Sequence, residues 1–526
     1  MNFNYKNIFA SLVLSVVVFT GCKDDMLNEI TELKTDRAFS ATGLSANVVN
    51  KVNVRLTWKP VANAVSYTIE VFDNATLAGT PVKTVSNIVD AQLPYTITGL
   101  AGNQQHSVRV KAIGRDGAAE SKWVSTTFKT DPEQILNAVN LGDITAGSVK
   151  VTWPANETVT RLVFTPGNIV YNLTPADITA GSATVSGLTA ETLYTVAIFN
   201  NTIQRGTTTF TTAVDVSAFT QVHNDSEFAT ALATSGPVRI ALHPGTYTFT
   251  SDITANKNIT IVGTSAVNKP IINRAVFKMA ANAGLVLNNV KLDGNQATNT
   301  NQLIVYNEAL EAAYGAVTIL NSEIYNYQKG LIYINVKSLV ESITIENNII
   351  RDINVSGASF IDMRAGFAKT LTIKNNTFYN LTTNDSSVRD FIRLDATTNF
   401  PTVINNKLDI VNNTIYNFLP SATVIHRFLY VRLTSVGVTI NKNIFANVNA
   451  FHFKSSTAPT LVAMLQNNYF GSANFYGGTN AAYLYDVAGN GYTTLDPGFT
   501  NAAAGNFTIS NIDLKTNGVG DPRWRQ

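Results

Sequence analysis

Apolar residues fall at every second position in a series of short segments that begins near residue 54. VRLTW (54–58), YTIEVF (67–72), YTITGL (95–100) and HSVRVKAIG (106–114) form one set. SVKVTW (148–153), RLVF (161–164), ATVSGL (183–188) and LYTVAIF (193–199) form another. Alternation of period two predicts strands with one buried face, and turn residues separate them. Each set is about the size of a small β-sandwich. From about residue 216 the texture changes. DSEFATALAT (225–234) has the spacing of a short amphipathic helix, followed by VRIALHPGTYTF (238–249) and NITIVG (258–263).

A refrain then recurs: LVLNNV (285–290), VTILNSEIYN (317–326), ITIENNIIRD (343–352), LTIKNNTFYN (371–380), LDIVNNTIYN (408–417), VTINKNIFAN (438–447) and AMLQNNYFG (463–471). The second residues of its pairs are taken as Asn289, Ser322, Asn348, Asn376, Asn413, Asn443 and Asn468, spaced by 33, 26, 28, 37, 30 and 25 residues. Such a period marks a solenoid. Further β-like segments follow each refrain: LIYIN (331–335), FIDMR (360–364), FIRLD (391–395) and FLYVR (428–432). Several strands per turn with irregular loops predict a right-handed parallel β-helix. The chain as a whole reads as all-β, two sandwiches followed by that helix. One amide of each pair is expected to turn inward and bond to the coils above and below, as in a fibril ladder.

If the amides are scaffold, chemistry must lie outside. Alternation sends Ile361 and Met363, Ile392 and Leu394, and Leu429 and Val431 inward. One outward column then runs Tyr333, Asp362, Arg393, Tyr430, His452, and its neighbour runs Asn335, Arg364, Asp395, Arg432, Lys454. Charge pairing alone would join Asp362 to Arg393, and Asp395 to Arg364 and Arg432. The surplus of base suggests instead a ligand, since guanidinium groups grip carboxylates in forked pairs and tyrosine faces suit sugar rings. Tyr325, Arg351, Tyr379 and Tyr416 make a further outward column, either a structural stack or a sugar platform.

Composition narrows the field. Of 526 residues only 14% are charged, with a formal net charge of +2, so no basic stripe points to nucleic acid. A single cysteine, Cys22, excludes internal disulfides and thiolate zinc sites, and the five histidines form no sequence-local metal motif. Lys6, the apolar run 8–19 and Phe19-Thr20-Gly21-Cys22 read as an export signal, too short for a comfortable membrane span.

Several stretches resemble known families. Residues 1–21 resemble a bacterial lipoprotein signal peptide, which implies acylation of Cys22. In the linker 22–36, Lys23-Asp24-Asp25 resembles the export signal of Bacteroidetes-type surface lipoproteins, implying the outer face of the outer membrane. Residues 37–131 and 132–213 resemble fibronectin type III modules: Trp58 and Trp153 take the core tryptophan, and Gly99-Leu100 and Gly187-Leu188 precede the penultimate strand. Tyr194 takes the corner tyrosine, which His106 replaces in the first copy, where it is read as structural. The entry to 216–526, with its small helix and Pro-Gly-Thr-Tyr turn, resembles a pectin-lyase-like β-helix. LDPGF (495–499) and GDPRW (520–524) resemble the ends of uncharacterised β-helix proteins.

The whole arrangement resembles surface lipoproteins of polysaccharide-utilisation systems. The resemblance implies an extracellular glycan as partner, alongside the outer membrane and other glycan-uptake proteins. The first reading is a binder of an acidic, pectin-like polysaccharide, using Tyr333, Asp362, Arg364, Arg393, Asp395, Tyr430, Arg432, His452 and Lys454. The second is a polysaccharide lyase, with Arg393, Arg432 or Lys454 as base or carboxylate clamp and His426 or His452 as proton carriers. Calcium enters only in that case, and the clustered aspartates of a calcium site are absent from the sequence. A structural or adhesive surface protein is the third.

Overall fold

A computed structural model describes residues 36–297, 302–306, 308–396, 399, 406–421, 423–433, 436–453 and 461–525. The signal peptide, Cys22 and Lys454 lie outside them.

The first alternating set folds as two antiparallel sheets. Thr42–Val49, Asn53–Lys59 and Tyr95–Ile97 form one; Lys83–Ile88, Ala64–Phe72, Gln105–Gly114 and Val124–Lys129, in that order, form the other. Their inner faces bury Val54, Leu56, Ile69, Val108 and Val110. Trp58 meets Tyr67 edge-on at 5.2 Å. His106 is fully buried, stacks on Phe128, and places Nδ1 2.9 Å from Asp73 and Nε2 3.1 Å from the Ala101 carbonyl. It is structural, as expected. The second set pairs Ile169–Asn172, Arg161–Thr165, Leu193–Asn200 and Ile203–Thr211 in one sheet, and Ser182–Ser186 with Ser148–Thr152 in another. Trp153 and Tyr194 are buried, and Tyr194 stacks on Phe210. Both are fibronectin type III-like sandwiches.

Later in the chain comes the parallel β-helix, built of three sheets. The first sheet runs from Thr220–Val222 through Phe367–Lys374 to Leu461–Leu465, and the second from Thr246–Thr248 through Thr377–Thr382 to Asn468–Phe470. The third runs from Ile253–Ala255 through Ile361–Met363, Asp390–Leu394 and His426–Val431 to Tyr483–Leu484. Pairing is parallel except at the last step, where Tyr483 meets Phe453 antiparallel. The entry end is plugged by the helix Asp225–Ala233, whose Phe228 is buried against Tyr247 and Phe249.

The refrain makes the bend between the first and second sheets. The first residue of each pair adopts a left-handed φ: Asn321 (50°), Asn347 (60°), Asn375 (57°) and Asn412 (56°). Asparagine tolerates that conformation better than most residues. The second turns inward, and Asn348, Asn376, Asn413 and Asn443 are fully buried. Each Nδ2 donates to the Oδ1 of the next coil, in the series Asn348, Asn376, Asn413, Asn443, Asn467, at 3.0–3.1 Å. Two assignments shift by one residue. Asn289 has φ 60° and is the turn residue, which leaves Val290 at the ladder position, and Asn467 rather than Asn468 completes the ladder.

The chain's closing segment lies across the outside of the second sheet. Phe507 is buried against Tyr379 and Tyr416, with ring centroids 5.3 and 5.5 Å away. Trp524 Nε1 donates to Thr377 Oγ1 at 2.7 Å, and that hydroxyl donates to Asp521 at 2.7 Å. The outward tyrosine column is therefore covered at Tyr379 and Tyr416 by this chain itself. It is a packing surface there, not a sugar platform.

Candidate functional site

On the third sheet the pairing register places Tyr333 beside Asp362, Asp362 beside Arg393, and Arg393 beside Tyr430. The neighbouring column is in register too, because the Asp395 N–H donates to the Met363 carbonyl and the Arg432 N–H to the Leu394 carbonyl. Arg364, Asp395 and Arg432 thus follow one another, one per coil. Consecutive coils are about 4.8 Å apart, so their side chains touch.

A third column was not visible to strict alternation. Ser359, Asp390 and Arg427 each lie three residues before Asp362, Arg393 and Tyr430, because two successive residues turn inward at this bend. The first of each inward pair is a phenylalanine, and Phe360, Phe391 and Phe428 stack nearly parallel at 5.0 and 4.5 Å. That stack helps hold the outer columns in line. The repeated polar-Phe-aliphatic-polar pattern was the available signal.

The three columns form one ionic lattice. Asp362 accepts from Arg364 Nη2 at 2.7 Å and from the Ser359 N–H at 3.2 Å, with Arg393 Nε 3.9 Å away. Asp395 accepts from Arg393 Nη2 at 2.8 Å and Arg432 Nη1 at 3.2 Å. Asp390 accepts from Arg427 Nε at 2.5 Å and Nη2 at 3.2 Å, and from the Ser359 hydroxyl at 3.0 Å. The expected links of Arg393 to Asp362 and of Arg432 to Asp395 are present, while Arg364 turns to Asp362 on its own strand.

Asp362 and Asp390 are buried beneath these arginines. A buried carboxylate is tolerable only when paired. Burial pushes the Asp390 carboxyl up, with Arg427 opposing. Arg427 stacks on Tyr430 at 3.8 Å, and Arg393 lies 5.7 Å from the same ring. Four guanidinium groups face three carboxylates. At the outer edge the Arg364 and Arg432 side chains stay 37% and 45% exposed, so each has donors directed at solvent.

Both histidines named as proton carriers lie inside. Arg427 pairs with Phe451, but Leu429, not Tyr430, pairs with His452: the next coil has one inward residue fewer at this bend. A one-residue shift reverses the face. His452 is consequently buried among Phe428, Phe445 and Phe475, and Phe453 takes the outward place beside Tyr430 at 4.9 Å. Burial pulls its imidazole down to about 3, and neither ring nitrogen has a hydrogen-bond partner among the described residues. His426 is also buried; its Nδ1 accepts the Arg389 N–H, and burial, helped by Arg389, lowers its pKa. Among the described residues no group of three or more His, Cys, Asp or Glu side chains is placed to hold a metal.

Residues 245–381 match the family described as "Domain of unknown function (DUF4957)", and residues 408–524 the one described as "Domain of unknown function (DUF5123)". Asp390, Arg393 and Asp395 fall between the two matches. The receptor-type tyrosine-protein phosphatase eta of Gallus gallus is 27% identical over 164 residues, which are 30% of this chain and 11% of that protein. The chain thus spans about a tenth of that relative's length. Among solved structures, a two fibronectin type-III domain segment from chicken tenascin aligns at 15% identity with a TM-score of 0.23, over 32% of this chain and 97% of that one. The chicken CNTN1 FN1–FN3 domains align at 13% identity with a TM-score of 0.15, over 34% and 66%.

Proposed function

We propose that this protein is a lipid-anchored outer-membrane surface protein that binds an acidic, pectin-like polysaccharide along the third sheet of its β-helix. One observation carries the reading: Arg364 and Arg432, half-exposed, flank Asp395 in register in a lattice with more guanidinium than carboxylate. The two arginines are two coils apart, about 10 Å by the ordinary strand spacing. A chain of uronate sugars lying along the stack would meet both, with Tyr333 and Tyr430 beside it. The anchor is Cys22, acylated after removal of residues 1–21.

Binding is favoured over a lyase. Proton abstraction needs a base at the surface with access to substrate. His426 and His452 are interior, and Arg393 is held by Asp395 and faces Asp362. The exposed Arg432 is a guanidinium paired with Asp395, better suited to clamp a carboxylate than to take a proton, and Lys454 lies outside the described residues.

The test is affinity electrophoresis in gels containing polygalacturonate or a neutral glycan. The wild type should be retarded only by the acidic polymer, and Arg364→Ala/Arg432→Ala should run freely. Equal retardation of wild type and double variant removes the third sheet as the binding face. Incubation with uronate polymers, with and without calcium, tests the lyase: a rise in ultraviolet absorbance from unsaturated products would overturn simple binding. Retention of a Cys22→Ser variant in the membrane fraction would remove the anchor.

A further inference from the structure

The corner between the first and second sheets carries an unusual set of cations. Asn321 and Asn347 are the left-handed turn residues of consecutive coils. Their carbonyls accept from Lys269 Nζ at 2.5 Å and from Arg523 Nη2 at 2.8 Å. Two cations therefore sit on neighbouring coils, held by main-chain carbonyls. Lys291 joins them from the second sheet, its Nζ 3.5 Å from Glu323.

The carboxylates nearby pair with Lys291, Arg523 and Lys374, and among the described residues none pairs with Lys269. Glu323 is shared with Lys291, and Glu346 faces Lys374 and Asn375. Asp521 lies 3.3 Å from Arg523 Nη1 but is also held by Thr377 and the Arg523 N–H. Among the ion pairs of the described residues none involves Lys269. Its ammonium has three donors, and one goes to Asn321. Burial pulls this amine down to about 8, with Glu323 opposing and Arg523 and Lys291 reinforcing. Lys291 and Arg523 remain about a third exposed, so the corner is open to solvent.

We propose that Lys269, Lys291 and Arg523 form an oxyanion site for a sulfate or phosphate group, separate from the third-sheet face. A tetrahedral dianion would accept the free Lys269 donors and neutralise the surplus, restoring full charge to an amine that burial disfavours. The site depends on the closing segment, which supplies Arg523, and owes nothing to the glycan-binding reading.

The experiment follows thermal unfolding of the full chain in sodium sulfate or sodium phosphate, against sodium chloride at equal ionic strength. Tm should rise saturably with either dianion in the wild type, and Lys269→Met should lose the saturable part. Identical responses of wild type and variant overturn the site. An equal rise with acetate overturns the assignment to a tetrahedral group. Should Lys269→Met fail to fold, the wild type decides alone: sulfate should slow acylation of Lys269 at pH 8 several-fold by mass spectrometry, and unchanged labelling sinks the proposal.

Discussion

Asn413 Oδ1 accepts both the backbone N–H and the side-chain Nδ2–H of Asn376, each at 3.0 Å. One oxygen of one coil thus satisfies two donors of the preceding coil. Asn376 Oδ1 does the same for Asn348, and Asn376 Nδ2 also reaches the Ile345 carbonyl. The ladder is continuous because no member spends its amide on solvent.

Replacing Asn376 by leucine removes the acceptor of the Asn348 backbone N–H and of one Asn348 Nδ2–H in a dry bend. Leaving buried polar groups unmade costs on the order of 1–3 kcal/mol. Urea unfolding should show a loss in that range for Asn376→Leu. Asn376→Asp should be worse at neutral pH, since it also buries a charge. An unchanged midpoint for the leucine variant would mean that water satisfies the bend and the ladder is ornament.

His452 gives a pH dependence with a definite sign. Its ordinary pKa near 6.5 falls to about 3 on folding, so the unfolded chain takes up the proton first. Stability is intact above about pH 6.5 and declines as pH falls toward 3, a loss of about 2 kcal/mol by pH 5. The preceding coils place Ile361, Ile392 and Leu429 at this position. His452→Leu should therefore raise Tm, and by more at pH 5 than at pH 8. Parallel melting profiles for wild type and variant would refute the buried neutral imidazole.

Periodicity carried most of the architecture. Alternating apolar residues announced the sandwiches, and the refrain announced the coils, because each feature is local and repeats. The columns through Asp362 and Arg364 followed from counting by two. Counting failed where the chain bends. Two inward residues at Phe391 and Ile392 hid Asp390, and one fewer in the coil of His452 turned that residue inside. Such changes depend on how a coil packs on its neighbour, which no single coil's sequence states. The Asn289 and Asn468 shifts have a related cause: Asn289 takes the left-handed turn in its coil while Gln466 takes it in the other, and only the stacked coils decide which residue turns. Coverage of Tyr379 and Tyr416 by Phe507 joins residues over ninety positions apart, beyond the reach of any pattern.

Arg427 is the counter-charge that makes Asp390 tolerable. Arg427→Met keeps the stem of the side chain but leaves a buried carboxylate with the Ser359 hydroxyl as its closest partner. Removing one partner of a buried pair costs about 3–5 kcal/mol. Burial already raises the Asp390 pKa, and losing the arginine raises it further. A raised carboxyl pKa favours the fold as pH falls through it, so the deficit should shrink in acid. Urea unfolding at pH 7 and pH 4.5 measures this. A deficit independent of pH would show that lost packing, not charge, is responsible.

The closing segment has its own small core, in which Ile509, Leu514 and Val519 pack on Ile444 and Ala446 of the helix. Phe507 is the ring that ties Tyr379, Tyr416, Phe499 and Trp524 together. Truncating a buried phenylalanine to alanine costs about 3–5 kcal/mol. The main core of the coils lies inside the three sheets and does not include Phe507. The cost should therefore fall on the segment first. In Phe507→Ala, hydrogen exchange should quicken several-fold across 495–524 while strands such as Phe367–Lys374 keep their protection. Uniform loss of protection along the β-helix would mean instead that this segment and the coils unfold as one unit.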